Sequence, residues 1–510
     1  MPSKPSTGTG PARGRPTELV ARAAQRLRDS LAGERWFAGK ARAVAGVTPV
    51  DHAEVPGTAG VLAIFEVSFV DGGRDWYCAP VRPPRGGDGP PTDAMEDPEF
   101  RVALADAIRH GLTLPGTRGV FRGLVTKALP EILPVTPAAG EPVAGEQSHT
   151  SVVYDRRAIL KLFRRLEPGV NPDFELGELL ARQATFRETA RLGGGLAYEA
   201  EAGEPVTLAV LHEFVPNQGD AWTATLARLA EYYAAAVEGP GEEEPPDPVF
   251  ARALATADAR EAERMGQLVA RLHAALAGGP PDGPLAPEPI TREDVNRWLE
   301  GMLDQLRRAT EALRGAGLAP DLRQAAQRVL ADAPRLADEL RGIAALADSR
   351  AVKLRVHGDL HLGQLLRTAE GFAILDFEGE PARPLAERRQ KQCVLKDAAG
   401  MTRSFAYAAQ VAMARRLEAS PGDLHLAERL RPWARSWEEG LRTAFLEGYC
   451  AEARAHAAAI LPADEAVLAR VLRAYEVDKA LYELRYELGH RPAWAGIPLA
   501  ALDRPAAPAA

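Results

Sequence analysis

The front and the back of the chain carry different hydrophobic patterns. Before residue 170, short apolar runs of strand length dominate and end at polar or glycine-containing turns; they cover 61–70, 75–81, 151–155 and 158–163. After residue 215, apolar residues recur at helical spacing, as in 251–276 and 295–313. This order predicts an α+β architecture, with a β-rich first part and a mostly helical second part.

The length and the proline-rich and glycine-rich stretches indicate more than one folded unit. A chain of 510 residues exceeds what one compact core usually holds, so two or three units are expected. Four clusters of proline and glycine are predicted to be a tail or surface linkers, at 1–15, 83–91, 238–248 and 278–289. The first of these is expected to be disordered.

Bulk charge and cysteine content narrow the class of protein. The formal net charge is -8, which disfavours a dedicated nucleic-acid binder. Three cysteines without a close pair suit a reducing compartment. No run of about eighteen apolar residues is present. We therefore expect a cytoplasmic protein with neither nucleic acid nor membrane as a partner.

The stretch from 356 to 384 carries the most specific chemistry. Asp359 is followed five positions later by Gln364, and Asp376 comes directly after an apolar run. In kinases, an aspartate of the catalytic loop accepts the proton of the attacking hydroxyl, and a later amide and aspartate bind Mg²⁺. This spacing predicts phosphoryl transfer, with Asp359 as the base and Gln364 and Asp376 as metal ligands. His357 is expected to brace the loop.

A metallophosphoesterase is the competing interpretation of this stretch. The sequence GDLH at 358–361 overlaps the GDxHG element of those enzymes, but Leu362 stands where the second glycine is required. The chain also has no GNH element, because its asparagines lie in NPD, PNQ and VNR. Each kinase-like motif alone is weak evidence, whereas their joint order and spacing favour the kinase.

The β-rich part offers candidates for the nucleotide. Lys161 lies in the strand AILKLF, and the preceding turn supplies Ser148 and Ser151 to lie over phosphates. Glu175, in the first turn of the following helix, is the preferred carboxylate partner of Lys161. A hinge from Glu213 to Val215 is expected to contact adenine through main-chain atoms.

A late helix is the candidate acceptor surface. Helical projection of 477–488 places Asp478, Tyr482 and Tyr486 on one face, apart from the apolar stripe. Tyrosines beside charged groups stack on sugars and bind their hydroxyls. Packing against a neighbouring helix is the alternative for this face.

Several separated motifs resemble the actinobacterial maltokinase family. They are RWFAGKAR at 35–42, DAMEDPE at 93–99, GEQSHTSVV and ILKLFRRLEPGVNPDFE within 145–175, LHEFVPN at 211–217, HGDLHLGQLLR at 357–367, DFEGEPARPLAERR at 376–389, KDAAGMTRSFAYAA at 396–409 and DKALYELRYELGHRPAW at 478–494. The resemblance implies a bilobal protein-kinase-like fold of the aminoglycoside phosphotransferase type. It divides the chain into a disordered tail (1–16), an N-terminal cap (17–130), a nucleotide-binding small lobe (131–217) and a helical large lobe (218–510).

The same resemblance implies an activity and its ligands. It implies transfer of phosphate from Mg²⁺-ATP to maltose, giving α-maltose 1-phosphate for glycogen or α-glucan synthesis. Carried over by position, Asp359 is the base, Gln364 and Asp376 bind metal, and Lys161 and Glu175 orient the phosphates. The substrate contacts expected are His357, Asp478, Lys479, Tyr482 and Tyr486. ATP and a small sugar are the expected partners of a monomer or weak homodimer.

Two departures and two alternatives remain open. His149 stands where the family usually has asparagine, and 388–397 replaces a proline-containing link. Related kinases of the same superfamily phosphorylate glucosamine, which is the first alternative. A non-catalytic sugar sensor is the second, although the joint presence of Lys161, Asp359, Gln364 and Asp376 argues against it.

Overall fold

The computed structural model describes residues 16–40, 42–84, 86, 89–143, 149–183, 186–238, 248–423 and 425–503. The chain divides into two compact units. The first comprises Met1–Ala181, Ala190–Pro216 and Pro384–Ala386, and the second comprises Arg182–Thr189, Asn217–Arg383 and Glu387–Ala510. The predicted tail at 1–16 lies outside the described residues except for Pro16, which begins a helix.

The first unit is built on two antiparallel sheets. Its strands are β1 Val44–Glu54, β2 Val61–Phe69, β3 Arg74–Cys78, β4 Val81–Arg82, β5 Thr92–Asp93, β6 Thr113–Pro115, β7 Gly119–Val125, β8 Gly140–Pro142, β9 His149–Tyr154, β10 Ala158–Phe163, β11 Arg165–Leu166, β12 Leu192–Ala200 and β13 Val206–Glu213. Its helices are α1 Pro16–Ser30, α2 Pro98–Arg109, α3 Leu129–Ile132 and α4 Pro172–Ala181. The first unit thus contains helices in addition to the strands.

The first sheet has six strands in the order β11-β3-β2-β4-β5, with β1 also paired to β2. Strand β2 is buried on both faces. Phe65 belongs to the core that includes the apolar face of α1, whereas Leu62 and Ile64 belong to the core of the second sheet. Burial on both faces explains why this strand reads as a continuous apolar run rather than an alternating one.

The second sheet has seven strands in the order β6-β7-β12-β13-β10-β9-β8. Strand β12 was not among the predicted runs, because its sequence LGGGLAYEA contains three glycines, which weaken strand propensity. A Cβ at Gly195 would lie 2.5 Å from the carbonyl oxygen of Ala209 on the neighbouring strand. Close packing thus requires glycine at this position.

The second unit is mostly helical. Its helices are α5 Ala221–Glu238, α6 Pro248–Ala277, α7 Arg292–Gly315, α8 Pro320–Ala331, α9 Ala333–Arg341, α11 Leu395–Glu418, α12 Leu426–Ala457, α13 Glu465–His490 and α14 Gly496–Leu502, and the single turn α10 spans Leu385–Arg388. Two short pairs, β14 Glu288–Pro289 with β15 Val352–Lys353 and β16 Leu365–Arg367 with β17 Phe372–Ile374, interrupt the helices. Among the described residues, none of the helices combines the length and hydropathy that a membrane span requires.

Helices α6 and α12 approach each other through a reciprocal pair of glycines. A Cβ on Gly266 of α6 would overlap the carbonyl oxygen of Phe445 on α12, and a Cβ on Gly448 of α12 would overlap that of Glu263 on α6. The obstructing atoms are backbone atoms, so a side chain at either glycine requires the helices to move apart. This crossing fixes the distance between two of the longest helices of the unit.

We predict that Gly448→Ala destabilises the protein by about 1–3 kcal/mol, the usual cost of overpacking a well-packed contact. The matched control is Gly440→Ala in the same helix, where an added Cβ meets no atom within 4 Å. That control should be neutral or stabilising by up to about 1 kcal/mol, because alanine is the better helix former. Thermal unfolding of the two variants measures the difference, and equal midpoints would contradict the close crossing.

Candidate active site

A buried carboxylate anchors the loop that carries Asp359. Asp397 lies in the first turn of α11, and its two oxygens accept the backbone N–H groups of His357 and Gly358 at 2.8 Å each. The Nε2 atom of His273, on α6, lies 3.0 Å from Oδ2 of the same carboxylate. Burial alone would raise the pKa of Asp397, but its hydrogen bonds and the nearby histidines outweigh burial and lower it.

The ring of His357 connects this loop to the strand that precedes Asp376. His357 is buried; its Nδ1 accepts the N–H of Asp359 at 3.4 Å, and its Nε2 lies 2.8 Å from the carbonyl oxygen of Leu375. Both ring nitrogens are therefore engaged by backbone. These contacts connect the loop to that strand, and the expected contact of His357 with a substrate stays a prediction.

Gly358 adopts a backbone conformation that favours glycine. Its φ is +85°, in the left-handed region, and a Cβ there would lie 3.3 Å from the Cα atom of Gly379. The glycine therefore turns the chain sharply in the loop before Asp359 and allows the segment around Gly379 to pack against it.

Asp359 is paired with a lysine from the far end of the chain. The Nζ atom of Lys479, on α13, lies 2.9 Å from Oδ1 of Asp359 and 2.8 Å from Oε1 of Glu380. No hydrogen bond from the described residues reaches Oδ2 of Asp359. Burial alone would lower the pKa of Lys479, but Glu380 and Asp359 raise it well above its usual value, so the ammonium stays charged.

Further charges surround Glu380. Its side chain is fully buried, and the guanidinium of Arg383 contacts its carboxylate. Burial alone would raise the pKa of Glu380, yet the charges of Lys479, Lys396 and Arg383 lower it strongly. Glu380 is thus a fixed anion that holds Lys479 beside Asp359.

Asp478 has weaker partners than its neighbours. Its Oδ2 lies 3.8 Å from Nη2 of Arg383, and its Oδ1 accepts the amide of Gln305 at 3.3 Å. Burial raises the pKa of Asp478 despite the opposing charge of Arg383. This carboxyl therefore has capacity for another cationic or hydrogen-bonding group.

Asp359 faces a pocket within the second unit. Its lining residues are Gly358, Asp359, Leu360, Glu380, Lys396, Gly400, Tyr475, Asp478 and Lys479. Three carboxylates and two ammonium groups thus meet in one small pocket. Such a pocket suits a small polar molecule with several hydrogen-bonding groups.

Gln364 and Asp376 form the candidate metal ligands. The Nε2 atom of Gln364 lies 3.2 Å from Oδ2 of Asp376, and Leu375 donates its N–H to the carbonyl of Gln364 at 2.9 Å. Asp376 has a φ of +67°, a strained conformation for a residue other than glycine, and such conformations cluster at functional sites. Among the described residues no group of three or more His, Cys, Asp or Glu side chains is placed to hold a metal.

The nucleotide-side candidates lie in the first unit. Lys161, on β10, is opposite Ser151 of β9 and Val210 of β13. It is half-buried on the face of β10 opposite to Leu160 and Leu162. Glu175 lies in the first turn of α4, as expected. Ser148 lies outside the described residues.

The predicted hinge follows the end of β13. The N–H of Glu213 donates to the carbonyl oxygen of Arg191 at 2.8 Å, and the N–H of Phe214 donates to the carbonyl oxygen of Arg157 at 2.8 Å. The side chain of Glu213 accepts two bonds from the guanidinium of Arg191, at 2.8 and 2.9 Å. Two main-chain N–H groups that were expected to contact adenine therefore donate to backbone carbonyl groups of the protein. The hinge role of Glu213 and Val215 stays a prediction.

The two tyrosines predicted for the sugar lie in different environments. The ammonium of Lys479 lies 4.9 Å from the ring centre of Tyr482, beside the pocket. Tyr486 is 44% exposed, and its ring stacks on His490 at 4.3 Å, so it is not brought to the pocket. The face at 477–488 is not uniformly exposed, because Asp478 is buried.

Four residues at this site escaped the sequence analysis: Glu380, Lys396, Asp397 and Tyr475. Glu380, Lys396 and Asp397 lie within motifs of the family resemblance, but spacing alone assigns them no chemistry. The sequence does contain a signal for Tyr475, namely its helical spacing. It lies three and four positions before Asp478 and Lys479 on α13, so a projection extended by one helical turn includes it.

Known proteins share this sequence pattern and fold. Residues 141–379 match the family model described as Phosphotransferase enzyme family. A glucosamine kinase of Streptacidiphilus jiangxiensis is 29% identical over 380 residues, which cover 73% of this chain and 74% of the relative. A glucosamine kinase of Mycolicibacterium smegmatis (strain ATCC 700084 / mc(2)155) is 28% identical over 369 residues, which cover 72% and 79%.

Solved structures of a glucosamine kinase have a similar fold. The complex with glucosamine, ADP and inorganic phosphate has a TM-score of 0.65 at 24% identity and covers 96% of this chain and 99% of that chain. Crystal form B has a TM-score of 0.67 at the same identity and coverage. The predicted kinase-like α+β fold is thereby confirmed. Residues 141–379 are thus similar to the phosphotransferase family, and the fold is similar to that of a glucosamine kinase.

Proposed function

We propose that this protein is an ATP-dependent kinase that phosphorylates a hydroxyl group of a small sugar. One observation carries the proposal: Asp359 of the HGD loop lines a pocket together with other charged side chains and the hydroxyl-bearing Tyr475. A base beside a small polar pocket is what transfer of a phosphoryl group to a sugar hydroxyl requires.

Asp359 acts as the base of the proposed reaction. Its Oδ2 accepts the proton of the sugar hydroxyl while that oxygen forms a bond to the γ-phosphorus of ATP. The bond from the γ-phosphorus to the β,γ-bridging oxygen breaks, and ADP leaves with the electron pair. Lys479 holds the other oxygen of Asp359 and thereby orients the carboxylate. A fixed base lowers the cost of reorganisation during the reaction.

Gln364 and Asp376 fit a magnesium ion. Mg²⁺ prefers oxygen ligands and is commonly bound by one or two protein carboxylates together with substrate phosphates, so a pair of ligands suffices. When bound, the ion would offset negative charge on the nucleotide phosphates. In the first unit, Lys161 and Ser151 are the proposed contacts of the phosphates, with Glu175 as the partner of Lys161.

Glucosamine is the acceptor that the relatives favour. Two relatives that align with nearly three quarters of the chain are named glucosamine kinase. The pocket is compatible with an amine, because its lining has three carboxylates and two lysines. Asp478 is the proposed partner of the ammonium group, since its nearest cation is 3.8 Å away.

Maltose is the second candidate, and a separate observation favours it. Three motifs that carry the maltokinase resemblance contribute to the lining of the same pocket, although the third lies far from the first two in sequence. DFEGEPARPLAERR supplies Glu380, KDAAGMTRSFAYAA supplies Lys396 and Gly400, and DKALYELRYELGHRPAW supplies Asp478 and Lys479. The residues that resemble maltokinases are therefore those expected to touch an acceptor.

We predict that the protein releases ADP from Mg²⁺-ATP in the presence of a sugar. The panel consists of glucosamine, maltose, glucose and an aminoglycoside, each with and without Mg²⁺. A kcat/KM for glucosamine at least tenfold above that for glucose, about 1.4 kcal/mol, supports the amino sugar, and the same margin for maltose supports the disaccharide. Absence of turnover with every sugar would contradict the proposed function and favour a non-catalytic sensor.

Asp359→Asn should lower kcat by about 10²–10⁴-fold, because asparagine cannot accept the proton. The substitution keeps the shape of the side chain, so ATP binding should change little, whereas the thermal midpoint should fall because Lys479 loses one of its two carboxylate partners. Calorimetric titration with ATP and single-turnover kinetics check the two effects. A variant with wild-type kcat would show that another group is the base.

Lys479→Met should lower both stability and kcat. Loss of the ammonium removes the cation that bridges Glu380 and Asp359, and breaking a buried ion pair costs about 3 kcal/mol. The double variant Lys479→Met with Glu380→Gln removes both charges and should regain most of the stability, but kcat should stay low because Asp359 is no longer held. Denaturant unfolding and steady-state kinetics separate the effects, and recovery of activity together with stability would refute the orienting role.

A further inference from the structure

Tyr475 carries a hydroxyl group whose proton has no acceptor among the described residues. Its side chain is 4% exposed, and the backbone N–H of Cys393 acts on the phenol oxygen, but no described group accepts the O–H. A buried donor without an acceptor costs about 1–3 kcal/mol. Natural proteins rarely keep such a group unless it has a use.

The surroundings of Tyr475 suggest that use. Tyr475 lines the pocket of Asp359 together with Asp478 and Lys479, which follow it by three and four positions on α13. All three therefore lie on one face of the helix. Burial raises the pKa of the phenol well above its usual value, so the hydroxyl keeps its proton and can donate it to a hydrogen bond.

We propose that the hydroxyl of Tyr475 is a specificity-determining contact that donates a hydrogen bond to the acceptor sugar, at an oxygen other than the one phosphorylated. The assignment rests on the proposed sugar kinase activity and adds a residue to it. Asp359 and Lys479 serve the reacting hydroxyl, whereas Tyr475 recognises a second polar position of the sugar. A ligand without that oxygen would leave the phenol unsatisfied and would bind more weakly.

The test is Tyr475→Phe, which removes one oxygen atom and keeps the ring. Without sugar, its thermal midpoint should equal or exceed that of the wild type, because the deletion removes an unsatisfied group. The KM of the accepted sugar should rise roughly 3- to 10-fold, the worth of one neutral hydrogen bond, and the KM of ATP should not change. The sugar should also raise the midpoint less than it does in the wild type.

Tyr233→Phe is the matched control. Tyr233 is also fully buried, but its hydroxyl donates to the carbonyl of Ala409 at 2.9 Å, away from the pocket. Its loss should lower the thermal midpoint and leave the KM of the sugar unchanged. Tyr475→Phe should thus weaken sugar affinity without loss of stability, whereas Tyr233→Phe should lower stability without a change in sugar affinity.

Each outcome decides between the alternatives. If Tyr475→Phe has the wild-type KM for a sugar that the wild type phosphorylates, the contact is refuted while the kinase activity stands. A lower midpoint without a change in KM would show that Tyr475 serves packing and would also refute the contact. If the wild type neither phosphorylates nor is stabilised by any sugar of the panel, both the activity and the contact fail.

Discussion

The loop that carries Asp359 depends on the buried carboxylate of Asp397. A loop without regular structure has backbone N–H groups that need partners, and this carboxylate accepts two successive ones, from His357 and Gly358. The Nε2 atom of His273, on α6, contacts the same carboxylate. Because α6 is held to α12 through Gly266 and Gly448, the position of the loop rests on the packing of the long helices.

Charges at the pocket are arranged as a connected network. Lys479 bridges Asp359 and Glu380, and Arg383 neutralises Glu380 from another direction. Removing one member leaves another charge buried without compensation, so the network holds its members in fixed orientations. The same arrangement suits the proposed phosphoryl transfer, since dipoles and charges that are already oriented stabilise developing charge without moving.

The sequence allowed prediction of the parts that depend on short spacing. The β10 strand, the helices over 251–276 and 295–313, and the order of Asp359, Gln364 and Asp376 all follow local patterns. Strand β12 was not predicted, because its glycines are required by close contacts with neighbouring strands and not by a local pattern. The pairing of Asp359 with Lys479 joins residues 120 positions apart, and a single sequence gives no physical signal for such a contact. The different exposure of Tyr482 and Tyr486 likewise depends on tertiary neighbours.

The location of Lys479 near the end of the chain has a consequence for protein synthesis. Asp359 and Glu380 leave the ribosome 120 and 99 residues before their common ammonium partner. At a synthesis rate of about 5–20 residues per second, Lys479 is added on the order of 10 s after the two carboxylates. During this interval the nascent chain contains the complete HGD motif, but Asp359 lacks the ammonium group that pairs with it. A message truncated before α13 would therefore encode Asp359, Gln364 and Asp376 without the lysine that holds Asp359.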